Sequence, residues 1–410
     1  MSAQTSPPQD VVVIGGGMIG ATAACALAQQ GLRVTIVEAH EAESFDRDSD
    51  YGTADSRGRV SAISPASATI LNALDVWGSI AAEGACPYRQ MHVWDAASSG
   101  AIHFDCCDVN APQLGHIVEN RVIQQALVQR LRGFENITWR CPDALARFDV
   151  MEDRVAVDLA SGAQVCARLL VGADGAHSLV RTLAGIVFNA RDYDHSALVA
   201  TVGTQLPHQH TAWQRFVADG VLAFLPLGDG RCSIVWSTPD KRAKALAAMP
   251  DEVFKDALAA EFDYRLGRIE SCGARTVFPL RGGQADRYVL PRVALIGDAA
   301  HGIHPLAGLG ANLGFMDAAT LAETLCNSRR DIGGLRVLRR YERARRGDNE
   351  LTMRAMEGFK FMFAQQASGW RWLRGAGLNV TDVAIPLKRR IMRHAMGLSG
   401  EHPRMARDNF

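Results

Sequence analysis

Residues 11–38 read VVVIGGGMIGATAACALAQQGLRVTIVE, and this stretch decides the class of fold. An apolar run is followed by a glycine turn, an alanine-rich run that stops at Gly31, and a second apolar run. This succession predicts a strand, a helix and a second strand, which is the βαβ unit of a parallel sheet. We therefore expect an α/β protein built on a Rossmann-like domain.

The turn of this unit has the spacing G-x-G-x-x-G, at Gly15, Gly17 and Gly20. The first glycine permits a tight turn, the second lets the backbone approach a pyrophosphate, and the third lets the helix pack on the strand. The first N–H groups of the helix, from Met18 onward, favour phosphate oxygens. Glu38 follows Gly20 by 18 residues and can accept hydrogen bonds from ribose hydroxyls. These features predict a dinucleotide site but do not distinguish FAD from NAD.

A second glycine-rich loop, LIGDAAHGIHPLAGLGANLGFMDAA at residues 295–319, favours FAD. It follows another apolar strand, and Asp298 stands where a carboxylate can bind a second polyol chain. The helix predicted from about Asn312 directs its first N–H groups toward the same place. A flavin uses both features, because its ribityl chain needs an acceptor and its N1–C2=O edge becomes anionic on reduction.

A third strand ends at Asp174-Gly175, in the stretch GADGAHSLVR at residues 172–181. By itself this pattern is typical of a helix N-cap. Together with the other two loops it indicates a cofactor domain that is assembled from separated segments of the chain.

The rest of the chain divides by its texture. Residues 154–175 predict a hairpin and residues 66–83 a helical stretch. Residues 197–280 predict a mostly antiparallel sheet with one helical insert at 251–262. Its aromatic residues fit either a pocket wall or core packing: Trp213, Phe216, Phe224 and Trp236. We predict an FAD-binding domain from residues 1–85, 110–190 and 286–335, a substrate-binding sheet domain from 86–109 and 191–285, and a helical C-terminal region at 336–410.

Composition limits the function and the compartment. The 410 residues have no net charge, and the nine cysteines include no C-x-x-C, which disfavours a disulfide reductase or a zinc site. The polar N-terminus resembles no signal peptide, and no apolar run approaches the about 18 residues that span a bilayer. We expect a cytoplasmic protein without a metal.

The C-terminal region is strongly basic. Residues 328–410 contain 18 Lys and Arg against 8 Asp and Glu. This charge fits peripheral contact with an anionic lipid membrane, contact with an acidic partner protein, or packing on the protein's own acidic surface. A nucleic-acid partner is disfavoured because no recognition motif or pattern of stacking aromatics accompanies the charge.

The three loops, in this order and spacing, resemble the FAD-dependent aromatic hydroxylases related to 4-hydroxybenzoate hydroxylase. The resemblance covers essentially the whole chain. Shorter strings resemble the ubiquinone-biosynthesis hydroxylases, and among these the 2-polyprenylphenol (2-octaprenylphenol) hydroxylase branch: RVSAIS at 59–64, LGHIVEN at 114–120, FLPL at 224–227, VFPL at 277–280 and HPLAGLGANLGFMDAA at 304–319.

The resemblance implies roles for residues at matching positions. Glu38 would bind the adenosine ribose, Arg59 and Arg121 the ribityl-pyrophosphate region, and Asp298 the ribityl chain. Asp174 would link FAD and nicotinamide binding. The isoalloxazine would be lined by Pro305, Gly308, Leu309, Gly310, Ala311 and Asn312. Leu309 departs from the family, which usually has glutamine there, so a polar contact beside the flavin is missing.

The implied activity is hydroxylation of a polyprenylated phenol with NAD(P)H and O₂, through a C4a-hydroperoxyflavin. The catalytic base is not identified, and His301 and His304 are weak candidates because turn histidines more often bind backbone groups. Three alternatives remain open at this point: hydroxylation at another ring position of a ubiquinone precursor, a flavin reductase or dehydrogenase acting on an isoprenoid, and a non-catalytic flavoprotein scaffold.

Overall fold

The computed structural model describes residues 9–40, 58–302, 310–328, 331–364 and 368–407, with side chains described except at 356, 359–364 and 368–374. The strands in chain order are β1 (Gln9–Ile14), β2 (Val34–Val37), β3 (Val60–Ile63), β4 (Cys86–Tyr88), β5 (Gln90–Asp95), β6 (Ala101–Asp105), β7 (Gly115–Glu119), β8 (Ile137–Arg140), β9 (Leu145–Val150), β10 (Val155–Leu159), β11 (Gln164–Gly172), β12 (Phe188–Thr204), β13 (Thr211–Val217), β14 (Gly220–Pro226), β15 (Cys232–Pro239), β16 (Ile269–Cys272), β17 (Thr276–Ala285), β18 (Val289–Leu290), β19 (Val293–Leu295) and β20 (His301–Gly302). The helices are α1 (Met18–Gln29), α2 (Pro65–Ala73), α3 (Trp77–Glu83), α4 (Asn120–Arg132), α5 (Leu179–Leu183), α6 (Asp240–Ala247), α7 (Asp251–Glu261), α8 (Gly310–Cys326), α9 (Leu335–Ala364), α10 (Ser368–Val383) and α11 (Ile385–Ala395).

The first sheet contains the predicted βαβ unit. Its strand order is β18-β19-β11-β1-β2-β8, with β10 pairing β11 and β9 pairing β10. The pairings among β19, β11, β1, β2 and β8 are parallel. Residues 11–14 of β1 are buried on both faces, as expected for a parallel strand covered on both sides. The α/β prediction is confirmed, and so is the 154–175 hairpin, in which β10 pairs antiparallel with β11.

A second sheet has the order β20-β17-β12-β15-β14-β13-β5-β6, with β16 pairing β12. Its pairings are antiparallel except that β13 runs parallel to β5. The single helical insert predicted at 251–262 is in fact the second of two helices, since α6 precedes α7. A small third sheet joins β3, β7 and β4. The division into domains at the predicted boundaries stays a prediction.

Two predicted helices have different bounds in the structure. The stretch 66–83 splits into α2 and α3, because Asp75 adopts a left-handed φ of 60° that a helix does not accommodate. The helix expected from about Asn312 begins at Gly310 and packs against α1. There Gly314 allows close contact, since a Cβ at this position would lie 2.6 Å from Cδ1 of Ile19.

The C-terminal region packs on both larger parts of the molecule. Helix α10 lies along β6, the edge strand of the second sheet, where side chains of α10 accept two backbone N–H groups. The Asn379 carbonyl accepts from Ala101 at 3.1 Å and the Asp382 carboxylate from His103 at 3.0 Å. Beyond α11, Ala406 is buried in the core of the first sheet. Edge strands need such cover, so this packing has a structural purpose.

Among the described helices, none combines the length and the apolar character that crossing a bilayer requires.

Candidate functional site

The carboxyl ends of four parallel strands meet at one edge of the first sheet. Ile14 of β1 pairs with Val37 of β2 and with Gly172 of β11, and Gly172 pairs with Leu295 of β19. The three loops singled out in the sequence follow these strand ends. They therefore converge on one place, the position at which open α/β sheets bind their ligands.

The glycines of the first turn have distinct steric environments. Gly15 has a φ of 100°, and a Cβ there would lie 2.4 Å from the carbonyl oxygen of Ala173. A Cβ at Gly20 would lie 1.9 Å from the carbonyl oxygen of Gly15, so α1 and β1 can pack only if this residue has no side chain. Gly17 is different, because no described atom lies within 4 Å of a Cβ built on it. The start of α1 at Met18, which is half-buried, is thus open to a ligand.

Glu38 lies directly beside this turn. Its carboxylate accepts the Gly16 N–H at 2.6 Å and the His40 N–H at 2.9 Å. The side chain is 15% exposed, which leaves part of the carboxylate accessible. The β2 strand therefore ends in an oriented acceptor next to the glycine turn.

Helix α4 supplies two polar side chains, Gln124 and Arg121. Gln124, which the sequence did not single out, donates from Nε2 to the Gly16 carbonyl at 2.5 Å. One turn earlier, Arg121 donates from Nε to Glu119 at 2.7 Å, while its Nη1 is buried without a hydrogen-bond partner among the described residues. A buried guanidinium N–H without a partner is costly, so the position suits an anionic ligand.

Arg59 approaches the site from the third sheet. Its carbonyl accepts the N–H of Asn120, the first residue of α4, at 3.0 Å. Its guanidinium carbon lies 5.1 Å from the ring centroid of Phe278. Arg59 thus connects the start of α4 with the second sheet.

Asp298 lies just after β19, next to the end of that strand. The residue is exposed to solvent, yet protein surrounds the carboxylate closely enough that burial raises its pKa. The charges of His301 and Arg59 oppose this shift. Because the residue is exposed, a ligand can reach it. Asp298 is therefore available as a hydrogen-bonding partner.

Two predicted site residues use their side chains within the protein. Asp174 caps α5, accepting the N–H groups of Leu179 at 2.7 Å and Val180 at 3.0 Å. Asn312, buried at the start of α8, accepts the Ser64 N–H at 2.9 Å and donates to the Ala62 carbonyl at 2.7 Å. Gly310 and Ala311, the first two residues of α8, are half-buried, and no described atom lies within 4 Å of a Cβ built on Gly310.

Of the two histidine candidates, His301 lies among the described residues and His304 does not. His304, Pro305, Gly308 and Leu309 lie outside the described residues. His301 is 1% exposed, and its Nε2 donates to the buried carboxylate of Asp317 at 2.5 Å. This partner is a side chain rather than the backbone group expected for a turn histidine. Asp317 was missed in the sequence, although an acidic residue within an otherwise apolar helix is a signal for a buried polar contact.

The aromatic residues of the second sheet divide between its two faces. Phe224 and Trp236 are fully buried and pack with Phe254 and Phe262 from the α7 region, which favours core packing over a pocket wall. The opposite face carries Phe278 together with other partly buried apolar residues, namely Tyr193 and Val235. Because Phe278 contacts Arg59, this second face is the one directed toward the place where the three strand-end loops converge, which we call the strand-end cleft.

One group of potential metal ligands occurs among the described residues, at Asp105, Cys106 and Cys107. The Asp105 carboxylate already accepts from Gln90 at 2.7 Å and from the Cys107 N–H at 2.8 Å. The Cys106 thiol is buried against the Pro112 carbonyl. These contacts make the group a capped turn, and we assign it no metal.

The FAD binding domain family matches residues 9–355. The chain is 37% identical over 397 residues to 3-demethoxyubiquinol 3-hydroxylase of Escherichia coli (strain K12), covering 96% of this chain and 100% of that protein. It is 35% identical over 450 residues to the human mitochondrial ubiquinone biosynthesis monooxygenase COQ6, covering 96% and 93%. The crystal structure of p-nitrophenol 4-monooxygenase PnpA from Pseudomonas putida DLL-E4 matches with a TM-score of 0.77 at 20% identity, covering 96% of this chain and 99% of that one. At this identity the structural match shows the fold alone.

Proposed function

The chain belongs to the FAD binding domain family and, within it, to the ubiquinone-biosynthesis hydroxylases, so it is an FAD-dependent monooxygenase; we propose that it hydroxylates the ring of a polyprenylated phenol. NAD(P)H and O₂ are its co-substrates. From the sequence resemblance, we favour a 2-polyprenylphenol as the substrate that is hydroxylated. The reaction in the name of the E. coli relative makes another ring position the alternative.

The observation that carries the proposal is the convergence of Gly17, Glu38, Arg121 and Asp298 at one sheet edge, opposite an apolar sheet face. We assign Glu38 to the adenosine ribose, and the start of α1 with Gly17 to the pyrophosphate. The partnerless Nη1 of Arg121 fits a phosphate oxygen. Asp298 would bind the ribityl hydroxyls, because it is the accessible acceptor at the end of β19.

The first backbone N–H groups of α8, at Gly310, Ala311 and Asn312, would face the flavin ring. A helix start carries partial positive charge and stabilises the negative charge that develops at the N1–C2=O edge on reduction. When bound, FAD supplies the hydride acceptor and the site of O₂ activation. For Asp174 we propose a smaller role, because its carboxylate is occupied by the α5 cap; it would hold the loop beside the cofactor.

The apolar face around Val235 and Phe278 would hold the phenol ring and exclude water from it. A phenol ring carbon needs only modest activation, since its own oxygen supplies electron density to the ring. NAD(P)H would bind transiently, because the sequence has no second G-x-G-x-x-G after a strand. Reduction should then be slow without the phenol and faster with it.

We also propose peripheral contact with an anionic membrane through α11, where a polyprenyl tail would reside. Ile385, Leu387 and Ile391 are 50%, 48% and 37% exposed. The same helix exposes Arg389, Arg390 and Arg393. Exposed apolar residues beside cations are typical of helices that lie in a membrane interface.

The test is oxygen incorporation. The purified protein with FAD, NAD(P)H and a short-tailed 2-prenylphenol under ¹⁸O₂ should form a ring-hydroxylated product that contains one labelled oxygen, and mass spectrometry with NMR identifies the ring carbon. NAD(P)H oxidation that proceeds anaerobically with an added acceptor but gives no labelled product would indicate a reductase. FAD binding without phenol-stimulated NAD(P)H oxidation would indicate a scaffold.

A further inference from the structure

Asp317 of α8 is a fully buried carboxylate with four hydrogen-bond donors. Its Oδ1 accepts from Nε of Arg345 at 2.8 Å and from Nδ2 of Asn349 at 3.2 Å. Its Oδ2 accepts from Nε2 of His301 at 2.5 Å and from the backbone N–H of Gly297 at 3.1 Å. Asp317 and its three side-chain partners, Arg345, Asn349 and His301, are 0% to 3% exposed, so water does not compete for these bonds.

The donors come from three parts of the chain that meet at Asp317. Gly297 directly precedes Asp298, which we assigned to the ribityl chain. His301 begins the segment that leads to the flavin-facing start of α8. Arg345 and Asn349 belong to α9, and Arg345 also donates to Asn349 at 2.8 Å. One carboxylate therefore joins the turn after β19, the short strand β20 and the long helix α9.

The network depends on the carboxylate being ionised. Burial opposes ionisation of Asp317, but the nearby charges and hydrogen bonds of His301 and Arg345 lower its pKa to about 2. All the acceptor positions of the carboxylate meet donors. An asparagine in its place would point an NH₂ group at one of the two pairs of donors, either Arg345 and Asn349 or His301 and Gly297.

The charge of Asp317 also reaches the proposed ribityl ligand. It raises the pKa of Asp298, in the same direction as burial, while His301 lowers it. The balance between Asp317 and His301 therefore affects the proton affinity of the carboxylate that faces the cleft.

We propose that Asp317 is a positioning residue for the flavin, acting through the Gly297 N–H and the His301 ring to orient the Asp298 carboxylate between them. This inference rests on the proposed function, because it assumes FAD in the cleft. It gives His301 a positioning role in place of the acid–base role considered for it.

The experiment compares four variants of the full-length protein with the wild type. His301→Ala removes the link to β20 and leaves Asp317 with three donors, whereas His301→Gln can still donate an N–H. Asp317→Asn disturbs both sides of the network. Asp348→Asn is the matched control, since Asp348 also pairs with Arg345, at 3.5 Å, but is 53% exposed and contacts neither Gly297 nor His301.

The readouts are the FAD dissociation constant, the visible spectrum of bound FAD and its midpoint potential. We expect His301→Ala and Asp317→Asn to weaken FAD binding roughly 10-fold or more, as for loss of a charged hydrogen bond, and to shift the spectrum and the potential. His301→Gln and Asp348→Asn should stay near the wild type. If Asp317→Asn does not fold, the His301 pair decides the question.

The inference is overturned if His301→Ala and any folded Asp317→Asn keep the wild-type affinity, spectrum and potential and lose only unfolding temperature. It is also overturned if Asp348→Asn changes the affinity, spectrum and potential of FAD as much as His301→Ala and Asp317→Asn do. A wild-type protein that binds no FAD would overturn the proposed function as well, which separates the two failures.

Discussion

Glu38 is held at the end of β2 by the N–H groups of Gly16 and His40, so its carboxylate is oriented before any ligand arrives. We expect Glu38→Ala to raise the FAD dissociation constant roughly 10- to 150-fold, because a charged hydrogen bond is worth about 1.5 to 3 kcal/mol. Titration with quenching of FAD fluorescence measures this. Asp10→Asn is the control: Asp10 pairs with Arg33 at the opposite end of β1, so FAD affinity should not change. Equal affinity in Glu38→Ala and the wild type would remove Glu38 from the site.

Asp317 gives a pH prediction. Its pKa falls from an ordinary 3.8 to about 2 in the folded protein, so its contribution to stability is present above pH 4 and is lost as the pH falls through 2. A shift of this size corresponds to about 2 kcal/mol. The difference in unfolding free energy between the wild type and Asp317→Asn, measured in urea, should narrow between pH 4 and pH 2. A constant difference across this range would contradict the assignment of an ionised Asp317.

The glycine turn between β1 and α1 permits a comparison of two substitutions in one element. Gly20→Ala places a Cβ 1.9 Å from the Gly15 carbonyl oxygen, so the apoprotein should lose several kcal/mol of stability or fail to fold. Gly17→Ala meets no described atom within 4 Å and should change apoprotein stability by less than about 1 kcal/mol, the scale of an N-cap substitution. It should nevertheless weaken FAD binding, because the methyl group would occupy the space that we propose for the pyrophosphate. Thermal unfolding without FAD and FAD titration separate the two effects. Wild-type FAD affinity in Gly17→Ala would show that the cofactor does not approach this turn.

The C-terminal region packs against the rest of the protein at several places. Asn379 and Asp382 cover the β6 edge, Met392 and Met396 pack with Cys106 and Leu114, and Ala406 enters the main core. Lys388, although cationic, is buried and donates to the His103 carbonyl at 2.9 Å. The basic region therefore includes structural contacts, and these favour packing on the protein itself for part of it. A truncation before α10 would unfold or aggregate the protein, so it cannot isolate a role at a membrane.

Point substitutions on the outer face of α11 can isolate that role. We expect Leu387→Asp with Ile391→Asp to lower binding to vesicles that contain anionic lipid at least 10-fold, because each apolar side chain contributes about 1.5 to 3 kcal/mol on burial. Unfolding temperature and FAD affinity should stay unchanged. Val253→Asp, on an equally exposed residue of α7, is the control in the same flotation assay. Vesicle binding that the α11 substitutions do not alter would assign the exposed face another purpose.

The local pattern of the sequence was enough for the βαβ unit, the 154–175 hairpin, the α8 helix and the three loops at strand ends. These features depend on side-chain periodicity and on glycine conformations, and both act over a few residues. The glycine-to-Glu38 spacing is of the same kind, since it spans one helix and one strand. The resemblance to the ubiquinone-biosynthesis hydroxylases rests on short strings such as RVSAIS at 59–64 and LGHIVEN at 114–120, and membership in that family is confirmed.

Contacts between distant residues were decided by the tertiary structure alone. Gln124 donates to Gly16 across 108 residues, Asn312 bonds Ser64 across 248, and Asn379 covers Ala101 across 278. The same holds for Phe224 and Trp236, because which face of a strand meets a helix depends on where α6 and α7 pack. Asp317 could be recognised as a buried acid in an apolar helix, but its donors could not, since they come from a loop and a helix on either side of it. Partners of buried polar groups are chosen by the packing of whole elements, and a one-dimensional pattern does not contain that geometry.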